Sequence, residues 1–334
     1  MLNSIQKLNK TDWSLIAVWC LVQMGLLATF GANTSGEAEK FIKEAESLRS
    51  NYIYSSKFLF YNAYVSVVAI IKIPFVIVLL QTILSGLACI QLRKVAVFFG
   101  ARTGNLTVFL FVSCYPIQIW NSSLYTESIF ISLLILLCSV IVHQKSKGLV
   151  GLLGLILLFT RPTFVLFLPA FVWLYFKLNS ISKKYMLPFL LIIPLALYNR
   201  ITHFPEFFSF FISDQVICEL VMEHQYSWRE LIVQKITLYF GMVRPHYSFG
   251  HNTYLLIYSL VYIPFALMLA KKNYSFKMFF ALLLVVHLLF VSVTCVNWNN
   301  RFMATFLPFV FILANVGVAS LNLKRKKKLD SSKG

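Results

Sequence analysis

Acidic residues are scarce, with 12 Asp and Glu against 30 Lys and Arg in 334 residues, a net charge of +18. Charged residues of all kinds are only 13% of the chain, hydrophobic ones are 59%, and the mean hydropathy is +0.75. A soluble domain averages roughly 25% charged and 45–50% apolar residues, so that class is excluded. The six cysteines (Cys20, Cys89, Cys114, Cys138, Cys218 and Cys295) include no CxxC pair and no histidine at ligand spacing. Neither a disulfide framework nor a zinc site is indicated. The six histidines show no HExxH pattern, so no metal site is expected. No internal repeat aligns, which counts against a transporter built on inverted repeats.

What the chain does have is a succession of apolar stretches, many close to the ~20 residues that cross a bilayer. Lysine and arginine gather between them on one side, ending in Lys324, Arg325, Lys326, Lys327 and Lys328. The acids gather on the other: all but Asp12 and Asp330 fall at Glu37, Glu39, Glu44, Glu46, Glu127, Glu206, Asp214, Glu219, Glu223 and Glu230. The positive-inside rule makes the acidic face extracytoplasmic and both termini cytoplasmic. The positive charge is then a set of loop anchors against anionic lipid, and no nucleic-acid partner is expected.

Hydropathy and charge alternation together predict an all-α polytopic membrane protein of about ten spans, with nine or eleven as alternatives. Lys7 and Lys10 precede the first, at residues 13–31, which lacks a cleavage site and is expected to be retained. Residues 58–71 read as an interfacial or re-entrant helix. Further spans are expected at 74–92, 104–119, 129–142, 148–161, 162–176 and 185–198. A long outer segment covers 200–252, the eighth span closes at Lys271-Lys272, the ninth opens at Asn297, and the tenth covers 302–321. Residues 1–323 form one membrane domain and 324–334 a basic cytoplasmic tail.

The first outer loop carries Glu37, Glu39, Glu44 and Glu46, of which the last two are expected to be solvated. Phe41, Ala45 and Leu48 recur at i, i+4 and i+7, an apolar stripe suited to an amphipathic helix on the membrane surface. Glu37 shares the face of Phe41 and has two readings. It is a carboxylate able to take a proton from a sugar hydroxyl, or it closes the capping box Thr34-Ser35-Gly36-Glu37. Glu127 likewise is a substrate-orienting acid or one that answers a helix macrodipole. Tyr115, Trp120 and Tyr125 near it form an aromatic surface for a sugar ring or an interfacial belt.

Arg161, Arg244 and Arg301 are expected on the outer side, where the positive-inside rule gives them no purpose. A guanidinium offers a planar fork to phosphate, and snorkelling to ordinary lipid is the alternative. His246 and His251 in the large outer segment are candidates to assist a leaving group, or are structural.

Taken in order, Cys114-Tyr115-Pro116, Tyr125-Thr126-Glu127-Ser128-Ile129-Phe130, Thr160-Arg161-Pro162-Thr163 and Arg301-Phe302 through Pro308 resemble the GT-C superfamily of integral membrane glycosyltransferases. The Tyr125 to Phe130 stretch is similar to that of the GPI-anchor second mannosyltransferase group. The resemblance spans residues 13–320. It implies a GT-C-like fold and transfer of a sugar, hexose or mannose in kind, from a polyprenyl-phosphate carrier on the extracytoplasmic face with inversion. It makes Glu37 the catalytic base, with Glu39 as alternative. Arg161, Arg244 and Arg301 become phosphate ligands, and Glu127 with Tyr125 and His246 substrate contacts. The family position is most often aspartate followed by tyrosine; here it is glutamate followed by Phe41. The family's large C-terminal outer domain has no counterpart, so a small or lipid-linked glycan acceptor is expected. No cofactor beyond the lipid-linked donor is implied, and a divalent metal is left open. A bacterial inner membrane, in cell-envelope polysaccharide synthesis, is expected rather than the endoplasmic reticulum. The rival readings are a lipid-linked glycan transporter or flippase and an O-antigen-type polymerase.

Overall fold

The structure is a computed structural model and describes residues 10–51, 61–144, 146–161, 163–186, 188, 191, 247–293 and 301–331. Among these residues every named element is a helix. They are α1 (Lys10–Phe30), α2 (Glu37–Asn51), α3 (Asn62–Ile71), α4 (Pro74–Phe98), α5 (Asn105–Ser113), α6 (Tyr115–Gln118), α7 (Thr126–Val142), α8 (Lys147–Thr160) and α9 (Phe164–Leu178). After the undescribed stretch come α10 (Phe249–Ser259), α11 (Tyr262–Ala270), α12 (Lys277–Val293), α13 (Arg301–Ala304) and α14 (Leu307–Ser331). Short 3₁₀ turns lie at Ile119–Ser122 and Lys183–Met186.

Three stretches are helical, long and apolar enough to cross a bilayer: Trp13–Phe30, Pro74–Phe98 and Phe249–Ala270. With outward-facing Leu21, Met24, Leu79, Leu80, Ile83, Leu87, Ile257 and Ile263 on them, the chain is membrane-associated. The expected span at 185–198 falls largely outside the described residues, as do residues 294–300, where the ninth was expected to open to the outer side; the part of the ninth before them is α12.

The core is aromatic. Phe99 packs edge-on against Phe276 and Phe280 and stacks on Phe279, which in turn meets Phe171 and Phe309. Helix α4 lies along α7 and α5, and α14 lies along α11 and α5. A Cβ at Gly317 of α14 would stand 2.6 Å from the Pro264 carbonyl oxygen of α11, so only glycine lets these two backbones approach so closely. The Asn315 amide fixes the register of α14 by donating to the Thr103 carbonyl at 2.7 Å and the Thr107 hydroxyl at 2.9 Å.

Several expected elements differ from those found. The span expected at 104–119 is broken. Helix α5 ends at Cys114, whose backbone is extended, and α6 begins with Pro116 in its first turn. Proline lacks the amide that a continuous helix needs and clashes with the carbonyl four residues before it. The nine residues of α5 rise only about 14 Å, too little to cross a bilayer. The chain therefore leaves the helix early and spends residues 114–125 in a compact turn. Helix α7 starts at Thr126 rather than 129, which puts Glu127 inside its first turn. Helix α4 runs on to Phe98, beyond Arg93 and Lys94. Helix α14 continues to Ser331, so the backbone of the basic tail up to that residue is helical.

The amphipathic helix of the first loop is present as α2, but its stripe faces protein. Ala38, Phe41 and Ala45 are buried against Tyr64, Val65, Val68 and Ala69 of α3, and Leu48 is half-buried. Phe41 meets the Tyr64 ring edge-on at 5.1 Å between centroids. Glu44, expected in solvent, is 9% exposed, because it follows Phe41 by one helical turn and shares the packed side. Glu46 remains exposed beside Arg49.

Candidate functional site

Helices α7 and α8 pack against each other and are only four residues apart in the chain, with a turn at His143 and Gln144, so they run antiparallel. The beginning of α7 therefore lies beside the end of α8. Glu127 sits in the first turn of α7, and Arg161 caps the C-terminal end of α8 with an extended backbone. Each charge occupies the helix end whose dipole favours its sign. The two side chains meet, with Arg161 Nη1 2.8 Å from Glu127 Oε1. Glu127 is completely buried, and Arg161 is 4% exposed. The guanidinium also lies 5.8 Å from the ring centre of Phe130, one turn further along α7. Arg161, expected as an arginine at the outer membrane edge, is thus enclosed by protein and held by a carboxylate. Two separate candidates of the sequence form a single buried ion pair.

The loop between α1 and α2, expected on the outer side, is fastened directly beside this pair. Asn33 donates its amide to the Ser122 carbonyl at 2.8 Å and accepts the Leu124 amide at 2.9 Å, a parallel bridge one residue long on either side of Ser123. The Asn33 side chain turns the loop back by accepting the Ser35 amide and hydroxyl at 3.0 and 2.8 Å. The Tyr125 hydroxyl then donates to the Ser35 carbonyl at 3.2 Å. Gly36 follows with φ +68°, and α2 begins at Glu37. A left-handed residue cannot belong to the right-handed helix, so the capping box, which needs Thr34 at the cap and Glu37 three places inside, does not form. Helix α2 instead begins at Glu37.

Gly36 is required twice over. Its backbone is left-handed, and a Cβ there would stand 3.1 Å from the Tyr125 hydroxyl. Gly36→Ala should cost at least about 1 kcal/mol and loosen the seam between residues 33–36 and 122–125. Limited proteolysis across residues 31–37 should report it as faster cleavage of the variant than of the native chain.

Beneath the seam, buried amides hold residues 118–123 in place. Gln81 Nε2 donates to the carbonyls of Trp120, Asn121 and Ser123. Asn121 donates to Gln118 Oε1 at 2.9 Å and to the Ser85 hydroxyl at 3.2 Å, and accepts from Ser128. Gln23 of α1 reaches Gln118 Oε1 at 2.7 Å. Sequence reasoning assigned none of these residues a role. The available signal was a glutamine inside an otherwise apolar span, as at Gln81 and Gln23, since a buried amide must find partners. Broken helix ends inside the bundle supply the carbonyls.

The other candidates separate. Glu39 is exposed. The Glu37 side chain lies outside the described residues, as do Arg244, His246 and the side chain of Arg301. The short helix that Arg301 opens packs against α6 and α7, so its backbone is at the same end of the bundle. The expected aromatic surface divides in two. Trp120 meets Tyr125 edge-on at 5.5 Å, whereas Tyr115 meets His251 at 5.7 Å and Phe30 at 6.4 Å, with Tyr247 stacked on His251 at 4.2 Å. Among the described residues no three His, Cys, Asp or Glu side chains group as metal ligands do.

No family model, curated protein or solved structure matches this chain. What it does is therefore read from its own residues: a fastened loop opening into a helix at Glu37, and a buried Glu127–Arg161 pair next to the seam.

Proposed function

We propose that the chain is an integral membrane glycosyltransferase of the GT-C kind, with about ten spans and both termini cytoplasmic. It moves a sugar from a polyprenyl-phosphate carrier to a small or lipid-linked glycan acceptor on the extracytoplasmic face, in a bacterial inner membrane. The observation that carries the reading is the seam between the first outer loop and residues 122–125. It brings the start of α2 and the Glu127–Arg161 pair to one end of the bundle, from parts of the chain nearly a hundred residues apart. An acid-bearing loop has no structural need to be tied to a second buried acid; a two-substrate site does.

In this mechanism the Glu37 carboxylate takes the proton of the acceptor hydroxyl. The acceptor oxygen attacks the anomeric carbon from the face opposite the carrier. The bond from that carbon to the phosphate oxygen breaks, the electron pair leaves with the polyprenyl phosphate, and the anomeric configuration inverts. Arg301 and Arg244 are the phosphate ligands of the reading. Arg161 pairs with Glu127 and orients it, and Glu127 accepts from sugar hydroxyls. Neutralising the developing phosphate charge with fixed cations in a water-poor site is where most of the rate gain arises.

A lipid-linked glycan transporter also needs buried charge, but near the bilayer midplane and on paired broken helices. Glu127 and Arg161 lie at helix ends, at one end of the α7–α8 hairpin, which favours the enzyme. The decisive experiment is transfer by the purified, reconstituted protein from polyprenyl-phosphate mannose, glucose and galactose, with the product's anomeric configuration read by NMR. Failure of all three donors to lose sugar to any glycolipid acceptor removes the reading.

Orientation is tested independently. Cysteines introduced at the exposed positions Ser50 and Ser180 should behave oppositely in intact cells. A membrane-impermeant thiol reagent should label the first, in the outer loop, and spare the second, between α9 and the Lys183-Lys184 pair. The reverse pattern inverts the topology and every assignment built upon it.

A further inference from the structure

Tyr64 of α3 belongs to the same buried cluster as Leu124, which precedes Glu127 by three residues. Its ring meets Phe41 of α2 edge-on, and it is 2% exposed. Among the described residues its hydroxyl has no hydrogen-bond partner. Neither has the hydroxyl of Thr126, which is 1% exposed and adjacent to Glu127 in the chain. Burying a hydroxyl without a partner is unfavourable, and natural cores nearly always avoid it. Phenylalanine at position 64 would keep every ring contact without that penalty. Burial first, and then the Glu127 carboxylate, hold the Tyr64 phenol above its ordinary pKa, so it stays protonated and available as a donor. Helix α3 packs against both α2 and α8, and α8 packs against α7.

We propose that Tyr64 is a sugar-binding residue of this site: its hydroxyl donates to a hydroxyl oxygen of the transferred sugar while Glu127 accepts from a hydroxyl of that sugar. Thr126 supplies the adjoining polar wall. The pairing of a phenol donor with a carboxylate that is itself paired to Arg161 is selective for a polyhydroxylated ligand and against the hydrocarbon that surrounds the bundle. A site built to hydrogen-bond a hydroxyl discriminates strongly against ligands that lack it. This proposal rests on the glycosyltransferase reading above and adds to it which end of the donor Tyr64 recognises.

The test is a pair of affinities measured on the full chain in nanodiscs. One ligand is a polyprenyl-phosphate hexose, taken from the mannose, glucose and galactose forms, and the other is the same polyprenyl phosphate without sugar. The native chain should bind one hexose form more tightly than the bare lipid. Tyr64→Phe should lose about tenfold in affinity for that form, the worth of one neutral hydrogen bond. It should bind the bare lipid as before, and should melt at the same temperature or higher because an unpartnered hydroxyl is gone. Thr126→Val should reduce the same preference in the same direction. If Tyr64→Phe keeps the full preference for the sugar-bearing lipid, Tyr64 is not a sugar contact, and the enzyme reading stands without it. If the native chain binds no hexose form better than the bare lipid, both proposals fail together.

Discussion

Arg161→Met should destabilise the protein by about 3–5 kcal/mol, the penalty for leaving the Glu127 charge buried without its partner. Glu127→Leu should cost a similar amount by stranding the guanidinium. Both side chains are at least 95% shielded, and the 2.8 Å contact joins the start of α7 to the end of α8. The double substitution should recover most of the loss, because an apolar pair of similar volume carries no desolvation cost. Unfolding in detergent micelles, followed by tryptophan fluorescence or protease susceptibility, measures all three variants in one thermodynamic cycle. Strong coupling in stability, combined with absence of sugar transfer in the stable double variant, separates the two duties of the pair. Single variants that melt with the native chain would mean that Glu127 and Arg161 are not a buried ionised pair at all.

The largest effect on rate is expected at Glu37. Glu37→Gln should lower the turnover number by ~10²–10⁴-fold, the usual worth of a general base, while binding donor and folding normally. Had the capping box been present, the same substitution would have preserved most of its function, since glutamine also caps. The left-handed Gly36 and the helix start at Glu37 leave that box unformed, so the catalytic and structural readings no longer compete on equal terms. Glu39→Gln should transfer sugar at the native rate, in keeping with a side chain exposed to solvent. Full activity of Glu37→Gln with loss in Glu39→Gln moves the base two residues along. Full activity in both removes this loop from the chemistry.

The sequence by itself determined the helical class, the membrane association and the break after Thr160. Hydropathy is a local, additive property, and so is the proline chemistry at Thr160-Arg161-Pro162 that ends α8 where expected. It also selected Glu127 and Arg161 separately, the first as an acid at a helix start beside aromatic residues, the second because an arginine between apolar segments is expensive enough to demand a reason. Their partnership was not legible there. A window of residues carries no record of which helix ends become neighbours, and snorkelling remained as good an account of Arg161 until the α7–α8 hairpin put a carboxylate 2.8 Å away. The break at Pro116 was overlooked for a related reason: the apolar run through it continues, and hydropathy is blind to a missing amide. The seam from Asn33 to Ser122 and Leu124 depends on backbone groups, which every residue possesses and no side-chain pattern announces. Tyr64 needed tertiary structure most of all. On paper it is one aromatic residue in an apolar helix. Only packing against Phe41 reveals a hydroxyl that the fold buries without a described partner, with burial and Glu127 raising its pKa.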